Sequence, residues 1–344
     1  MGTPTSEFSY ELPDEAIAQR PIEPRDASRL LNVDSLSDHI FSDVPALLSP
    51  GDVVVVNRSR VRAARLLGTK VGGGGRVEAL LLRPLKDDLW QAVVRPARRL
   101  RPGTIIDFGA IRATIETAPD DGVVEMSLVA AGVLEDAIAA TGTVPLPPYI
   151  HEQLPDPERY QTIFAHTVGS AAAPTAGLHF TPGVVEALRT RSIDVVEVEL
   201  VIGLDTFRPI SAANIEDHQI HSESVTIPTE AAEAINGRRG DVVAVGTTVV
   251  RALESRASPD GKIEPGSADT RLYITPGYRF RAVDRLITNF HLPGTSLIVL
   301  IASFIGDRWR PAYETALGRG YRFASFGDAM IATRLTARRT GDLS

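Results

Sequence analysis

The run Asp52-Val-Val-Val-Val-Asn57 constrains this chain more than any other stretch. Four successive valines leave no polar face, so the segment reads as a strand covered on both sides, as parallel strands of α/β sheets are. Pro50-Gly51 supplies the turn into it. Two later segments repeat the theme. Asp241-Val-Val-Ala-Val245 runs through Gly246-Thr-Thr248 into a helix over Val249–Ser255. Arg285-Leu-Ile-Thr-Asn-Phe290 runs through His291-Leu-Pro-Gly-Thr-Ser296 into an apolar helix over Leu297–Ile305. An apolar strand over Val195–Ile202 belongs with them. Such units predict an α/β fold, a mixed sheet with covering helices.

Between about residues 62 and 142 the pattern changes. Short alternating runs at Arg76–Leu82, Leu89–Val94, Thr104–Phe108, Ile111–Thr117 and Val123–Leu128 are separated by turn signals such as Pro102-Gly103 and Pro119-Asp-Asp-Gly122. Five or six antiparallel strands at this spacing predict an inserted small antiparallel β-barrel domain. The expected division is 1–60 and 146–344 for the α/β substrate-binding and catalytic domain and 61–145 for the barrel. The proline-dense Thr143–Ile150 reads as an extended exit from the barrel, and Pro13–Gln19 as a short helix with acids in its first turn.

The chain has 344 residues, 43% of them hydrophobic, enough for two cores. The absence of cysteine excludes disulfide and thiolate chemistry and fits a reducing compartment. No stretch of about 18 apolar residues occurs and no secretory pattern opens the sequence, so the expectation is a cytoplasmic protein with no membrane partner. A net charge of -7 argues against a protein that binds nucleic acid with its whole surface. Arginine is nevertheless concentrated in two places, at Arg58, Arg60, Arg62 and Arg65, and at Arg95, Arg98, Arg99 and Arg101. Solvated loops account for such runs; a local phosphate-binding face is the sharper reading.

Ligands of open α/β sheets bind at the carboxyl ends of strands, beside helix starts. Gly246-Thr-Thr248 and Asn289–Ser296 fall at such ends. A third polar loop, Gly169-Ser-Ala-Ala-Ala-Pro-Thr-Ala-Gly-Leu-His-Phe-Thr181, carries His179 two residues before a helix start. There Thr181 suits the N-cap, Pro182 the first turn, and Val184, Val185 and Leu188 the buried face. Each threonine taken alone is as well explained by capping, and His179 by packing. Together the three loops suit a ligand with a carboxylate or ribose hydroxyls. P-loop, dinucleotide-fingerprint and nucleophile-elbow patterns are absent. His218, His221 and Glu223 would share a face if helical and could meet a metal, but without a fuller ligand set a substrate pair or a structural cluster is the better account.

Several of these stretches resemble the S-adenosylmethionine:tRNA ribosyltransferase-isomerase family of queuosine biosynthesis. The resemblance rests on Gly169–Thr181, Gly246-Thr-Thr-Val-Val-Arg-Ala-Leu-Glu-Ser255, Pro276-Gly-Tyr278, Val283-Asp284, Leu286–Pro293 and Tyr321–Met330. It extends to Tyr10-Glu-Leu-Pro13, Arg25-Asp26 with Ser28–Leu31, and Pro145–Ile150, in order along nearly the whole chain. It implies transfer and isomerisation of the ribosyl part of S-adenosylmethionine onto the 7-aminomethyl-7-deazaguanine base of tRNA. Epoxyqueuosine-tRNA is formed, adenine and methionine are released, and no cofactor or metal is used. It also implies His179 and His291 as acid–base candidates. Thr175, Gly177, Thr181, His221, Gly246, Thr247, Thr248, Asn289 and Asp284 would bind substrate, Asp284 through the cationic part of S-adenosylmethionine. Arg58, Arg60, Arg65, Arg98, Arg99 and Arg101 would hold the phosphates of the tRNA anticodon stem-loop. Oligomeric state, monomer or weak dimer, stays open.

The chain departs from the family pattern at two places. Asn-Asp-Thr-Arg-Val-Ile-Pro-Ala-Arg stands here as Asn57-Arg-Ser-Arg-Val-Arg-Ala-Ala-Arg65, and His-Val-Gly-Ala-Gly-Thr-Phe as Val201-Ile-Gly-Leu-Asp-Thr-Phe207. Arg58, Val201 and Asp205 thus keep an alternative in view: a paralogue that binds S-adenosylmethionine but acts on a different acceptor, or a non-catalytic binder.

Overall fold

A computed structural model describes residues 2–203, 209–220 and 222–335. The chain forms two compact units. One comprises Met1–Ser59, Pro148–His166 and Pro174–Ser344, the other Arg60–Pro147 and Thr167–Ala173.

The first unit is built on a nine-stranded sheet. Its order is Gly266–Thr270, Glu223–Ile227, Asp194–Leu200, Val53–Asn57, Val242–Val245, Arg285–Asn289, Ala329–Thr333, Arg29–Asn32 and Ser37–Ile40. The four strands from Asp194–Leu200 to Arg285–Asn289 are mutually parallel, with Val54 opposite Val195 and Val243 opposite both Val54 and Arg285. Antiparallel neighbours flank them on both sides, so the sheet is mixed as expected. All five residues of Val53–Asn57 are buried. Val54, Val56, Val243, Val245 and Ile287 pack with Phe180, Val184, Val185 and Leu188, the last three from the helix Pro182–Thr190. The alternate set Val53, Val55, Ala244 and Leu286 is buried too, so both sheet faces are covered. The helix Thr247–Arg256 packs against Val242–Val245 and Asp194–Leu200.

The second unit is a closed barrel of Arg65–Lys70, Arg76–Pro84, Leu89–Arg95, Ile105–Asp107, Ile111–Ile115 and Val123–Ala130. Alternation puts Val77, Ala79 and Leu81, Trp90, Ala92 and Val94, and Val124, Met126 and Leu128 inside. Gly68 is required by closure: a Cβ there would stand 2.3 Å from the Asp107 carbonyl oxygen.

Pro13–Gln19 is not a helix. A single 3-10 turn covers Asp14–Ala16, and Ile17 then bridges to Phe323. Ala18 N donates to Phe323 O and Phe323 N to Ala16 O, so backbone pairing wins over a helix too short to hold itself. Among the described residues no helix is long and apolar enough to cross a membrane.

Candidate active site

The parallel strands place Asn57, Leu200, Val245 and Asn289 at one edge of the sheet. Asn57 spans part of it, donating from Nδ2 to Leu200 O (2.9 Å) and accepting Leu200 N at Oδ1 (3.2 Å). Asn289 ends its strand with a buried side chain joined to two sequence-distant segments. Its Oδ1 accepts from Thr175 Oγ1 (3.0 Å), and its Nδ2 donates to His179 Nε2 (3.1 Å). With Nε2 accepting, the His179 proton lies on Nδ1, which donates to Ser28 Oγ (2.7 Å). A continuous run Ser28–His179–Asn289–Thr175 results. The His179 ring also stacks on Phe41 at 4.9 Å between centroids. Burial pushes its pKa down to about 4 despite the opposing charge of Asp328, so the ring is neutral at pH 7.

His291 lies two residues beyond Asn289. Burial lowers its pKa to about 3. Its ring makes one hydrogen bond, Nε2 with Thr288 Oγ1 (3.0 Å), and its backbone is held by Tyr313 and Tyr10, the amide donating to Tyr313 Oη (3.0 Å) and the carbonyl accepting from Tyr10 Oη. No hydrogen bond among the described residues joins the two histidine rings. His179 is engaged at both ring nitrogens; among the described residues His291 Nδ1 has no hydrogen-bond partner.

The neighbouring strand end, Val245, leads into Gly246, the N-cap of Thr247–Arg256. Gly246 has φ +90°, a region that L side chains avoid, and a Cβ there would reach the Ala176 Cβ at 3.6 Å. No side chain caps this helix. Thr247 and Thr248 are buried, and Thr248 Oγ1 has no hydrogen-bond partner. An unfilled helix start beside an orphaned hydroxyl is a place for an acceptor. The helix start after Thr181 differs. Thr181 Oγ1 accepts from Val184 N (3.3 Å) and donates to Asp26 Oδ2 (2.7 Å), so a carboxylate already faces it and Thr181 serves as a cap. Gly177 packs against Thr162, whose methyl a Cβ would meet at 3.0 Å.

Asp284 does not join this group. It precedes the strand Arg285–Asn289 and so lies at the opposite edge of the sheet, about 16 Å of strand from Asn289. There it accepts from Val242 N (3.0 Å) and Arg334 Nη2 (3.0 Å), with Arg238 at 3.8 Å. Its charge is matched within the fold, which removes it from the substrate-binding set. His221 and Asp205 lie outside the described residues. Ile215–Asp217 is a 3-10 turn and Glu223 begins a strand, so His218 and Glu223 do not share a helix face, and Glu223 pairs with Arg251. Among the described residues no group of three or more His, Cys, Asp or Glu is placed to hold a metal ion.

The arginines divide sharply. Arg58 meets Glu199 (3.4 Å), Arg62 meets Glu135, and Arg65 forms a bidentate pair with Glu78 (2.9 and 3.0 Å). These are pairs within the fold, which match the charge of Arg58 and Arg65. Arg60 has partners within the fold. Arg98 and Arg99, on the 3-10 turn Ala97–Arg99, and Arg101 are exposed and form no ion pair among the described residues.

Three residues escaped the sequence. Ser28, in Arg25-Asp26-Ala-Ser28, is brought to His179 by the sheet, a contact across 151 positions. Arg251 and Tyr273 line a separate cleft with buried polar atoms lacking partners. Arg251 stands one helical turn after Thr247, a spacing that could have linked it to that corner.

A family model described as queuosine biosynthesis protein matches residues 5–332. A relative from Symbiobacterium thermophilum named S-adenosylmethionine:tRNA ribosyltransferase-isomerase is 47% identical over 336 residues, covering 95% of this chain and 98% of that one. One of the same name from Heliobacterium modesticaldum is 48% identical over 339 residues, covering 94% and 98%. The crystal structure of S-adenosylmethionine tRNA ribosyltransferase from Thermotoga maritima is similar with a TM-score of 0.53 at 34% identity, over 95% of this chain and all of that one. On the match across nearly its whole length, the chain belongs to the queuosine biosynthesis protein family.

Proposed function

We propose that the protein moves the ribosyl part of S-adenosylmethionine onto the aminomethyl group of a 7-deazaguanine base in a tRNA anticodon and isomerises it to an epoxycyclopentanediol. Adenine and methionine leave, and S-adenosylmethionine is a substrate, with no cofactor needed. The observation that carries this reading is the buried run Ser28–His179–Asn289–Thr175, set at the carboxyl edge where Gly246 opens an uncapped helix.

The chemistry needs a base for a proton beside the sulfonium and a proton for departing adenine. His291 is neutral at pH 7 and has Nδ1 uncommitted, so it can take the first proton and then hold the proton that adenine requires. His179, engaged on both sides, orients Asn289 and Thr175. Thr247, Thr248 and the Gly246 helix start receive the ribose hydroxyls of S-adenosylmethionine. Positioning of two large substrates supplies much of the rate.

The test is adenine release by the full chain, given S-adenosylmethionine and tRNA carrying 7-aminomethyl-7-deazaguanine, with unmodified tRNA as control. Release only with modified tRNA supports the reaction and makes Val201 a tolerated change. Binding of S-adenosylmethionine without release from either tRNA rejects it in favour of another acceptor.

A further inference from the structure

A cleft, part open to solvent, lies between the strand Glu223–Ile227, the helix Thr247–Arg256, residues 272–274 and the start of the helix Ser296–Ile305. Its polar wall is unusual. Glu223 and Arg251 form an ion pair with side chains only 7% and 14% exposed. Glu223 Oε1 also accepts from Gly203 N (3.2 Å), and Arg251 Nε donates to Leu272 O (3.1 Å). The remaining guanidinium nitrogen, Arg251 Nη2, is buried without a partner among the described residues, and so is Tyr273 Oη. Burial, with the nearby charge of Glu216, raises the Tyr273 pKa to about 12, so its hydroxyl is a donor at neutral pH. Two unsatisfied donors in one cleft call for an acceptor, because native folds rarely leave such groups orphaned. Leu272, Ile274, Leu297 and Leu300 give the cleft an aliphatic side, and His218, Gln219, Ser222 and Ser296 add further polar lining.

We infer that this cleft binds an α-amino acid with an unbranched apolar side chain, its carboxylate on Arg251 Nη2 and Tyr273 Oη, its ammonium toward Glu223 and its chain along Leu297 and Leu300. Resting on the function proposed above, the ligand is the methionine end of S-adenosylmethionine, and afterwards the methionine product. Charge selects this class. Among the described lining residues Arg251 supplies a cation and Glu223 an anion, which match a zwitterion; a phosphate dianion would face Glu223, and a metal cation would face Arg251. The start of the helix Ser296–Ile305 has no side-chain cap and adds positive potential for a carboxylate. Thr247 and Thr248 lie four and three residues before Arg251, on the same side of their helix and about 5 Å along it. A ligand seated by its amino-acid end at Arg251 therefore extends toward the Gly246 corner, where Thr248 Oγ1 is likewise without a partner.

The test is calorimetric titration of the full chain with L-methionine and, separately, with 3-(methylthio)propylamine, which lacks the carboxylate. Tyr273→Phe removes a hydroxyl that has no partner to lose, so it leaves folding intact; Arg251→Lys is the companion variant. The expected result is binding of methionine, a loss of about ten- to a hundredfold in affinity in Tyr273→Phe, and no binding of the amine. Equal affinity in wild type and Tyr273→Phe, equal binding of the amine, or no methionine binding overturns the assignment. Adenine release by the same proteins separates the two claims. Release with methionine affinity indifferent to Tyr273 rejects the cleft and keeps the reaction. Tyr273-dependent methionine binding without release keeps the cleft and rejects the reaction.

Discussion

Asn289 Nδ2 donates to His179 Nε2 at 3.1 Å, and that one bond fixes which nitrogen of the imidazole carries the proton. The amide nitrogen faces the ring while Oδ1 takes the Thr175 hydroxyl, so the two bonds share the amide between His179 and Thr175. At pH 7 the ring should therefore give imidazole nitrogen shifts of a neutral, Nδ1-protonated tautomer. Asn289→Asp puts a carboxylate at Nε2 and should convert the ring to the doubly protonated form. Nitrogen NMR on histidine-labelled protein reads both states. An unchanged neutral ring in Asn289→Asp would count against this network.

His291 is separable from His179 by its single ring hydrogen bond. If it carries the proton between the carbon beside sulfur and adenine, His291→Asn should lower adenine release by about 10²–10⁴-fold. The Michaelis constant for S-adenosylmethionine should change little. A variant with near wild-type turnover would remove His291 from the mechanism.

Both histidines are linked to stability. Their pKa values fall from 6.5 in the unfolded chain to about 4 for His179 and about 3 for His291, each chiefly through burial. Below pH 6.5 the unfolded chain takes up protons that the folded chain refuses. The contribution is thus complete above 6.5 and shrinks as pH falls toward the folded values. Between pH 7 and pH 5 the loss is about 2 kcal/mol for each histidine. Urea denaturation at the two pH values checks the sum, and His179→Gln should remove about half of it.

What the sequence disclosed follows from what is local. Four valines announce a strand buried on both faces, Thr181-Pro182 announces a helix start, and alternation in 76–128 announces the barrel walls; all three are present. Asp284 was misplaced because adjacency to a motif says nothing of which sheet edge a residue occupies, although its position before the strand Arg285–Asn289 holds that information. The partner of Arg65 was hidden because Glu78 depends on hairpin register, which pairs Arg65 with Leu80 and brings Glu78 alongside. Ser28 and Tyr273 became visible only once distant segments met. The edge strand Gly266–Thr270 and its neighbour Glu223–Ile227 lack a continuous apolar run, each interrupted by exposed residues, and gave no clear signal.

Glu254, inside the Gly246–Ser255 stretch, has a structural task. Its carboxylate, 4% exposed, accepts from Ala282 N and Val283 N (3.0 Å each), Arg281 N (2.9 Å) and Tyr278 Oη (3.3 Å). It thereby ties the last turn of the helix begun at Gly246 to the residues that precede the strand ending in Asn289. Glu254→Ala leaves three amides without acceptors and should cost about 3 kcal/mol or more. Glu254→Gln, which keeps one accepting oxygen, should cost roughly half as much. Denaturant midpoints of the two variants decide it, and a change below 1 kcal/mol in Glu254→Ala would contradict this role.

The barrel arginines make a prediction that a general count of positive charge does not. Arg65 has its charge matched by Glu78 in a bidentate pair, and such an arginine offers little to a phosphate. Arg98, Arg99 and Arg101 are exposed with no carboxylate paired to them among the described residues. If the tRNA backbone lies along this connection, replacing the three with alanine should weaken tRNA binding. The slope of log affinity against log salt should become shallower by about 0.9 for each lost phosphate contact on duplex. Arg65→Ala should leave that slope unchanged while lowering barrel stability slightly. Filter binding of tRNA across a salt series, with S-adenosylmethionine affinity as the control for folding, distinguishes the two. Equal slopes for the triple variant and the wild type would move the tRNA contact away from this turn, whatever the protein's net charge of -7 implies.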